Sequence, residues 1–510
     1  MAGDGLKTRP DGSLSQGENM AERRPNIIWY CTDQQRFDTI HGLGNQHINT
    51  PNLDRFMESA VTFTHAHCQA PICTASRSSF LTGMYPSHVR NTRNGNGTVS
   101  PDVEERLITR KLADDGYDCG LVGKLHLAGG INGQESRAKD GYRFFHYSHA
   151  PRSDWKRRGD YYEWIEEQGA NADDVLEQFD ERRRPRPAGD MPQGGLWEPT
   201  PEQDNAPPEL HQTTWCTTRA IEFIDEDRDE GQPWLISLNP FDPHPPHDAP
   251  WEFYRRYDPD TLPAPLFRES DVETQNQISD AGVDFQTSSH PPEHWGFPKV
   301  KASYYAMIEL IDEQFGRLLD HLDSIGEREN TIVIFMSDHG ETLGDHGLAL
   351  KGCRFSEGLV RVPLMISWPG RFEQGVISDA LVELTDIVPT FMEVAGLAAP
   401  QDMHGKSLLP ILTGESPAGE HRDFVWSEFA DCIMLPDRSR ATMYRNRRWK
   451  LVVYHGNDVG ELYDMENDPD EFENLWDSSD HAGTKAELVL KSFNRTVMTQ
   501  NLGPDRAMRY

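Results

Sequence analysis

This sequence of 510 residues lacks cysteines at the paired spacings of a disulfide framework. Its seven cysteines are scattered from Cys31 to Cys432, and this odd, sparse count argues against a disulfide framework and for a reducing compartment. The first 24 residues are polar, so no secretory signal is visible. No stretch approaches the roughly 20 apolar residues that span a bilayer. We therefore expect a cytoplasmic protein without membrane spans.

Basic residues are also in deficit. Lys and Arg number 50 against 83 Asp and Glu, which gives a formal net charge of −33. Nucleic acid and anionic membranes would be repelled at long range, so neither is an expected partner. A small anionic substrate would have to be attracted by a local basic cluster, for which Arg77, Lys124 and Lys351 are candidates.

Long apolar runs are absent, but short ones follow a regular order. From residue 26 onward they alternate with helical patterns, which predicts a mostly parallel sheet between helices. The predicted strands are 26–31, 118–122, 234–238, 331–336 and 364–367. Four of the five are followed within a few residues by Asp33, Lys124, His244 or Asp338. Since ligands bind at the carboxyl edge of such sheets, this clustering predicts one site there.

The length of the chain predicts two unequal domains. We interpret residues 1–24 as a disordered tail, 25–395 as a catalytic α/β domain and 396–510 as a smaller α+β domain. The last assignment rests on two strand patterns and one helical pattern, at 448–454, 461–464 and 482–500.

Two insertions interrupt the larger domain. Segments 131–210 and 260–298 are rich in proline and polar residues, and we predict loops and short helices in the first and an irregular loop in the second. The run Arg182-Arg183-Arg184 is interpreted as part of a solvated loop. The clearest helix is predicted over 302–322, where apolar residues recur at spacings of three and four.

Two short stretches carry the chemistry. In Cys73-Thr74-Ala75-Ser76-Arg77 a cysteine stands four residues before an arginine, and Gly83 ends the helix that this stretch opens. The first turn of a helix offers free backbone N–H groups to an anion. Ser337-Asp338-His339-Gly340 directly follows a predicted strand. Together they predict a metal-assisted anion site that contains a nucleophile.

These stretches resemble the type I sulfatase family of the alkaline-phosphatase-like superfamily. Further matches follow in the same order from Pro25 to Leu475, namely 25–34, 50–54, 123–126, 345–347 with Lys351, 461–464 and 467–469. The resemblance implies an alkaline-phosphatase-like fold, in which a mostly parallel sheet lies between helices and a smaller C-terminal α+β domain follows.

The resemblance also implies a modified nucleophile and a metal. Cys73 would be oxidised by a formylglycine-generating maturation enzyme to 3-oxoalanine (formylglycine), whose hydrate attacks the substrate. The metal ligands would be Asp33, Gln34, Asp338 and His339, with an oxygen of the modified residue 73. Ca²⁺ is the expected ion, and Mg²⁺ and Mn²⁺ remain alternatives.

Further roles follow from the same resemblance. Arg77 would hold the hydrate or the metal ligands, and Lys124 and Lys351 would bind sulfate oxygens. His126 would accept the hydrate proton. His244 would protonate the leaving oxygen, with His247 as the competing choice for this acid. His346 and Asn94 are predicted either to line the substrate pocket or to have structural roles.

Three departures from the family pattern keep alternatives open. Ala75 stands where the aerobic maturation system usually meets proline, which leaves the maturation system open. Gln34 and His339 stand where many members carry aspartate and asparagine, and this set also resembles phosphonate monoester hydrolases. The favoured function is hydrolysis of a sulfated carbohydrate or aryl sulfate. The alternatives are phosphonate monoester or phosphodiester hydrolysis, and a non-catalytic protein that binds sulfated glycans.

Overall fold

The structure, a computed structural model, describes residues 24–131, 134–150, 159–176, 206–247 and 249–503. The predicted tail lies outside these residues except for Arg24, and the Arg182-Arg183-Arg184 run also lies outside them. In the described ranges, no helix combines the length and the apolar character that crossing a membrane requires.

The strands are numbered in chain order. They are β1 Asn26–Thr32, β2 Val61–His67, β3 Asp118–Gly123, β4 Gly130–Ile131, β5 Gln134–Glu135, β6 Phe144–Tyr147, β7 Trp234–Asn239, β8 Thr331–Ser337, β9 Arg361–Val362, β10 Leu364–Ser367, β11 Val376–Glu383, β12 Phe424–Ala430, β13 Arg440–Asn446, β14 Trp449–Tyr454 and β15 Gly460–Asp464.

The α-helices follow the same chain order. Among the described residues they include Pro51–Met57, Cys73–Thr82, Pro101–Glu104, Ile108–Asp114, Asp160–Glu167, Gln212–Glu222, Trp251–Tyr254, Glu269–Asp280, Phe297–Ser324, Glu357–Val360, Ile387–Val394, Leu409–Leu412 and Ala482–Met498.

The central sheet has the strand order β11-β2-β10-β8-β1-β7-β3-β6, and β9 also pairs with β2. Strands β8, β1, β7, β3 and β6 are mutually parallel, whereas β10 runs antiparallel between β8 and β2. The predicted mostly parallel sheet is therefore confirmed. All five predicted strands are present in it, as β1, β3, β7, β8 and β10.

The central strands are buried on both faces. Ile27 and Trp29 of β1 pack into a core on one side of the sheet, and Ile28 and Tyr30 pack into a second core on the other side. Parallel strands that helices cover on both faces have continuous apolar sequences. This explains why β1 and β8 could be recognised as short apolar runs without alternation.

The long helix Phe297–Ser324 covers the second of these faces. Its apolar stripe includes Ile308, Ile311 and Phe315, which are fully buried. The ring of Phe315 meets the ring of Tyr30 edge to face, with centroids 5.3 Å apart. The predicted helix over 302–322 is thus confirmed, and it begins five residues earlier than predicted.

A second sheet follows towards the C-terminus. Strands β12-β13-β14-β15 form an antiparallel meander, and Leu488 of the helix Ala482–Met498 packs with Trp426 and Leu451 of this sheet. The predicted strands at 448–454 and 461–464 are confirmed as β14 and β15. The domain boundary between 395 and 396 stays a prediction.

The two insertions contain more regular secondary structure than predicted. Segment 131–210 contributes β6 to the edge of the central sheet. Segment 260–298, predicted as an irregular loop, contains the helix Glu269–Asp280. Asp271 and Gln275 are buried on that helix together with Ile278, so polar side chains occupy most of its inward face and a continuous apolar stripe is missing.

Candidate active site

The carboxyl ends of neighbouring parallel strands bring the predicted residues together. Asp33 follows β1, Lys124 follows β3, His244 lies five residues beyond β7, and Asp338 follows β8. Thr32 at the end of β1 is in register with Ser337 at the end of β8, so Asp33 and Asp338 emerge side by side. This arrangement matches the predicted site at one edge of the sheet.

Cys73 is the first residue of the helix Cys73–Thr82, and its thiol lies at the centre of this group. Its Sγ is 3.0 Å from His339 Nε2 and 3.0 Å from Lys351 Nζ, and 3.6 Å from Asp33 Oδ1. Burial raises the pKa of the Cys73 thiol, but the ammonium groups of Lys124 and Lys351 outweigh this and hold the pKa well below its ordinary value.

Four side chains at this point could hold a cation together. One ligand atom from each of Asp33, Cys73, Asp338 and His339 lies within 4.8 Å of all the others, and all four residues are buried. Oε1 of Gln34 accepts a hydrogen bond from Lys351 Nζ at 2.6 Å. Carboxylate and amide oxygens with one imidazole nitrogen suit a hard divalent ion.

The electrostatics of the two carboxylates also fit a cation. Burial and the neighbouring charge of Asp33 raise the pKa of Asp338, whereas Lys124, His244 and Arg77 outweigh burial and lower the pKa of Asp33. Two carboxylates this close disfavour each other's ionised form, and a bound divalent cation removes that repulsion. The donor set and its charge therefore fit the metal that the sequence predicted.

Arg77 connects three parts of the site. Its Nε donates to Asp338 Oδ2 at 2.8 Å, and Nη1 donates to the carbonyl oxygen of Lys124 at 2.8 Å. Its Nη2 is 3.7 Å from Asp33 Oδ2. The planar guanidinium can serve these partners at once, which a lysine cannot do.

The loop after β3 carries Lys124 and His126. Lys124 Nζ forms an ion pair with Asp33 Oδ2. His126 has a left-handed backbone conformation (φ 55°), and burial and Lys124 lower its pKa to about 4. Left-handed non-glycine residues persist only where the surroundings impose them, and they are frequent at functional sites.

Glu135 holds this loop in place, although its sequence context does not predict such a role. Its carboxylate accepts hydrogen bonds from three consecutive backbone N–H groups, those of His126 (2.7 Å), Leu127 and Ala128 (2.7 Å). Burial raises the pKa of the Glu135 carboxyl to about 7, although these N–H groups and Arg77 oppose the rise. The residue lies on the two-residue strand β5, which has no recognisable pattern.

His244, rather than His247, faces the thiol. His244 lines a cavity together with Cys73, and its Nδ1 donates to the carbonyl oxygen of Pro245 at 2.7 Å, which leaves Nε2 for the cavity. Burial and Lys351 lower the pKa of His244 to about 3. His247 is buried against the ring of Tyr304 instead.

The cavity above Cys73 has a volume of about 410 Å³. Its wall contains Asn94, whose Oδ1 accepts from the backbone N–H of Thr74 at 3.0 Å. Two further aromatic side chains of the wall were not predicted from the sequence. Phe241 lies 5.2 Å from Lys124 Nζ, and His149 meets His126 edge to face at 4.3 Å.

His346 lies apart from this cavity. It has a left-handed backbone conformation (φ 53°), and its ring faces Asp271, with Nδ1 3.5 Å from Oδ2, and Phe472 at 5.5 Å. It lines a different cleft together with Asp345 and Glu471. Of the predicted site residues, His346 is therefore the one that the structure does not bring to Cys73.

Comparisons with known proteins show which family the chain matches. A sequence model of the family described as Sulfatase matches residues 25–397, and one described as N-sulphoglucosamine sulphohydrolase, C-terminal, matches residues 344–496. An arylsulfatase of Clostridium perfringens (strain 13 / Type A) is 28% identical over 466 residues, which cover 90% of this chain and 91% of that protein.

Two further similarities concern the wider superfamily. The multifunctional alkaline phosphatase superfamily protein PehA of Trinickia caryophylli is 26% identical over 513 residues, covering 92% of this chain and 95% of that protein. The crystal structure of the phosphonate monoester hydrolase of Agrobacterium radiobacter has a TM-score of 0.75 and 25% identity, covering 93% of this chain and 96% of that chain.

The Sulfatase match extends from β1 through β11, so it includes every strand that carries a residue of the site. The fold agrees with the same superfamily. The chain therefore belongs to the sulfatase family, with an alkaline-phosphatase-like fold, and it is a sulfatase.

Proposed function

We propose that this sulfatase hydrolyses sulfate monoesters through a formylglycine hydrate at residue 73 and a divalent metal, most suitably Ca²⁺. The observation that carries the proposal is the position of the Cys73 side chain, between two lysine ammonium groups and within reach of Asp33 and His339. With a family of enzymes established, the alternative of a binding protein without catalysis has no support.

A divalent ion and an aldehyde hydrate would supply chemistry that unmodified side chains lack. A divalent ion held by Asp33, Gln34, Asp338 and His339 would polarise a sulfuryl oxygen. The aldehyde hydrate of residue 73 would supply one hydroxyl that attacks sulfur and a second whose deprotonation expels sulfate.

The remaining steps fall to residues of the chain. Lys124 and Lys351 neutralise the sulfate oxygens, since their ammonium groups already lie 3.8 and 3.0 Å from Cys73 Sγ. His126 accepts the hydrate proton. His244 is proposed to donate a proton to the leaving oxygen through Nε2, which requires the imidazolium form because Nδ1–H already donates to Pro245. Arg77 holds Asp338 in position.

The substrate is proposed to be a small sulfated carbohydrate or an aryl sulfate. The cavity of about 410 Å³ over Cys73 has the size of a small-molecule site, and the similar protein of Clostridium perfringens is an arylsulfatase.

The cysteines of the described chain are all free and buried, which supports the proposal of a reducing, cytoplasmic compartment.

The direct test is the intact mass of the peptide that contains residue 73. Conversion of a thiol to an aldehyde predicts a loss of about 18 Da in protein made together with a maturation enzyme. Turnover of 4-nitrophenyl sulfate should follow the converted fraction and disappear in Cys73→Ala. Full turnover by protein with an unmodified cysteine would exclude the proposed nucleophile.

Phosphonate monoester hydrolysis is the second candidate. It is favoured by Gln34 and His339 among the proposed ligands, and by the similarity to the Agrobacterium radiobacter enzyme. The same matured protein should be assayed with 4-nitrophenyl sulfate and with a phenylphosphonate monoester. We expect the higher kcat/KM for the sulfate, and a higher value for the phosphonate would reverse the assignment.

A further inference from the structure

Gln34 is the only amide among the proposed metal ligands. It is 0% exposed, and its backbone is left-handed (φ 71°). Its N–H donates to Asp338 Oδ1 at 3.0 Å, and its carbonyl oxygen accepts from the hydroxyl of Tyr304 at 2.6 Å. Because the main chain is held on both sides, the rotation of the terminal amide decides which atom faces the site.

The two ends of this amide face partners of opposite character. Nε2 donates to Oε2 of Glu341, and Oε1 accepts from Nζ of Lys351 at 2.6 Å. An ammonium group can only donate, and an ionised carboxylate can only accept. The reversed amide would set donor against donor and acceptor against acceptor, so its neighbours determine its orientation.

Oε1 points towards the residues that would hold the metal. Lys351 Nζ, which binds Oε1, is also 3.2 Å from His339 Nε2 and 3.0 Å from Cys73 Sγ. Among the atoms of the amide, the carbonyl oxygen is the one that binds hard cations. An amide turned by half a rotation would present an N–H₂ group to the ion.

We propose that Glu341 is a positioning residue for the metal, which holds Gln34 with its carbonyl oxygen towards Asp33, Asp338 and His339. This inference rests on the metal site of the proposed function. Glu341 is itself fixed, since it is 2% exposed and its Oε1 accepts from the N–H of Leu343 at 3.3 Å and the hydroxyl of Thr342 at 3.2 Å.

The pairing also explains why an amide is suited to this position. A carboxylate at position 34 would bring a second negative charge against Glu341 in a buried setting, which is unfavourable. Gln34 and Glu341 instead supply one donor, one acceptor and a single negative charge. The two residues therefore form one complementary unit, in which only Gln34 reaches the metal.

A double-mutant cycle tests this unit through Ca²⁺ affinity, measured by titration calorimetry on the full-length protein after removal of metal. Glu341→Met removes the acceptor, and we expect Ca²⁺ binding to weaken by about 10-fold or more, as for residues that orient metal ligands. In the Gln34→Glu background either carboxylate oxygen can bind the ion. There we expect Glu341→Met to leave the affinity unchanged or to raise it.

Glu341→Gln is the second variant, in case Glu341→Met does not fold. It retains the side-chain volume, but the new amide can accept from Gln34 only by turning its own N–H₂ towards the N–H of Leu343. We expect a smaller loss of Ca²⁺ affinity when Gln34 is unaltered and none in the Gln34→Glu background. Glu309→Met is the control, because it removes a buried carboxylate that contacts Asn49 and Arg256, and it should leave Ca²⁺ affinity unchanged.

The outcomes separate the two proposals. Equal loss of Ca²⁺ affinity in both backgrounds would show a general structural effect and overturn the role of Glu341. Unchanged affinity of both Glu341 variants when Gln34 is unaltered would also overturn it. Failure of the unaltered protein to bind either Ca²⁺ or Mn²⁺ would instead overturn the metal site of the proposed function.

Discussion

Nε of Arg77 donates to Oδ2 of Asp338 at 2.8 Å, and neither side chain is more than 1% exposed. The pair joins the first turns of the helix Cys73–Thr82 to the end of β8. Removing one partner of such a buried charge pair strongly lowers the stability of the fold, because the other charge is left buried without a partner.

Arg77→Lys should lower the catalytic efficiency of the enzyme. Lysine keeps the charge, but it cannot serve both Asp338 and the carbonyl oxygen of Lys124. We expect kcat/KM for 4-nitrophenyl sulfate to fall about 100-fold, the effect of losing one preorganised hydrogen-bond donor at the reaction centre. Arg90→Lys, at an exposed arginine, is the matched control. Equal kcat/KM values for both variants would contradict a role of Arg77 in the site.

Glu135→Gln should displace the loop that carries His126. The amide oxygen can replace one carboxylate oxygen, but its N–H₂ then faces backbone N–H groups that now donate to Glu135. We expect a loss of about 1–3 kcal/mol in the free energy of unfolding, measured with urea, and a lower kcat with a smaller change in KM. An unchanged kcat would show that the loop keeps its position without the carboxylate.

The same carboxyl group predicts a pH dependence of stability. Its pKa is raised from the ordinary value of 4.5 to about 7, so the folded chain keeps a proton that the unfolded chain releases. This contribution is complete below pH 4.5 and is lost as the pH rises through 7. The groups that face Glu135 are the N–H groups, Arg77 and Tyr147. Urea unfolding between pH 5 and 8 should show a shallower decline for Glu135→Gln than for the unaltered chain.

Arg422→Met should lower the free energy of unfolding. Arg422 forms buried ion pairs with Glu383 and Asp386, and with His421 it outweighs burial and lowers the pKa of Asp386. Removing it leaves two carboxylates without that partner, and we expect a loss of about 3–5 kcal/mol in the free energy of unfolding. Arg447→Met, in an exposed pair with Asp379, should change it by less than about 1 kcal/mol. Similar losses for both would contradict this distinction.

Removal of divalent ions should lower the unfolding temperature. Without an ion, Asp33 and Asp338 bury like charges side by side, and a ligand that binds only the folded state stabilises it. At a Ca²⁺ concentration about 100 times its Kd, the gain is about 2.7 kcal/mol. Thermal unfolding in EDTA and after addition of Ca²⁺ measures it, and Asp338→Asn should lose most of the shift. A shift of equal size in Asp338→Asn would place the ion elsewhere.

Much of the central fold could be predicted because its signals are local. β1 and β8 are apolar throughout, and the helix Phe297–Ser324 has a regular stripe. β2, Val61–His67, was missed although its first four residues alternate apolar side chains with threonine, which is a local strand signal. The helix Glu269–Asp280 was missed because buried Asp271 and Gln275 replace apolar residues on its inner face. The burial of these two polar residues depends on tertiary partners that no local pattern encodes.

The residues of the candidate site likewise divide into those with a local sequence signal and those without one. The convergence of Asp33, Lys124 and Asp338 at one edge of the sheet could be predicted because each directly follows a strand that was recognised. Glu135 could not, since its partners are backbone N–H groups, which leave no mark in side-chain patterns. The position of Glu341, two residues beyond His339, was a sequence signal for a place near the site. The role proposed for it depends on Gln34, which is 307 positions away in the chain.

The burial of Cys73 also has a consequence for biosynthesis. The side chain is only 1% exposed and starts a helix whose ten residues are all buried. A small ester can enter the cavity above it, but the catalytic cleft of another protein cannot close around that segment of backbone. The oxidation proposed for residue 73 would therefore have to precede the final folding of the chain, and the yield of active enzyme would then be decided while the polypeptide is still newly made.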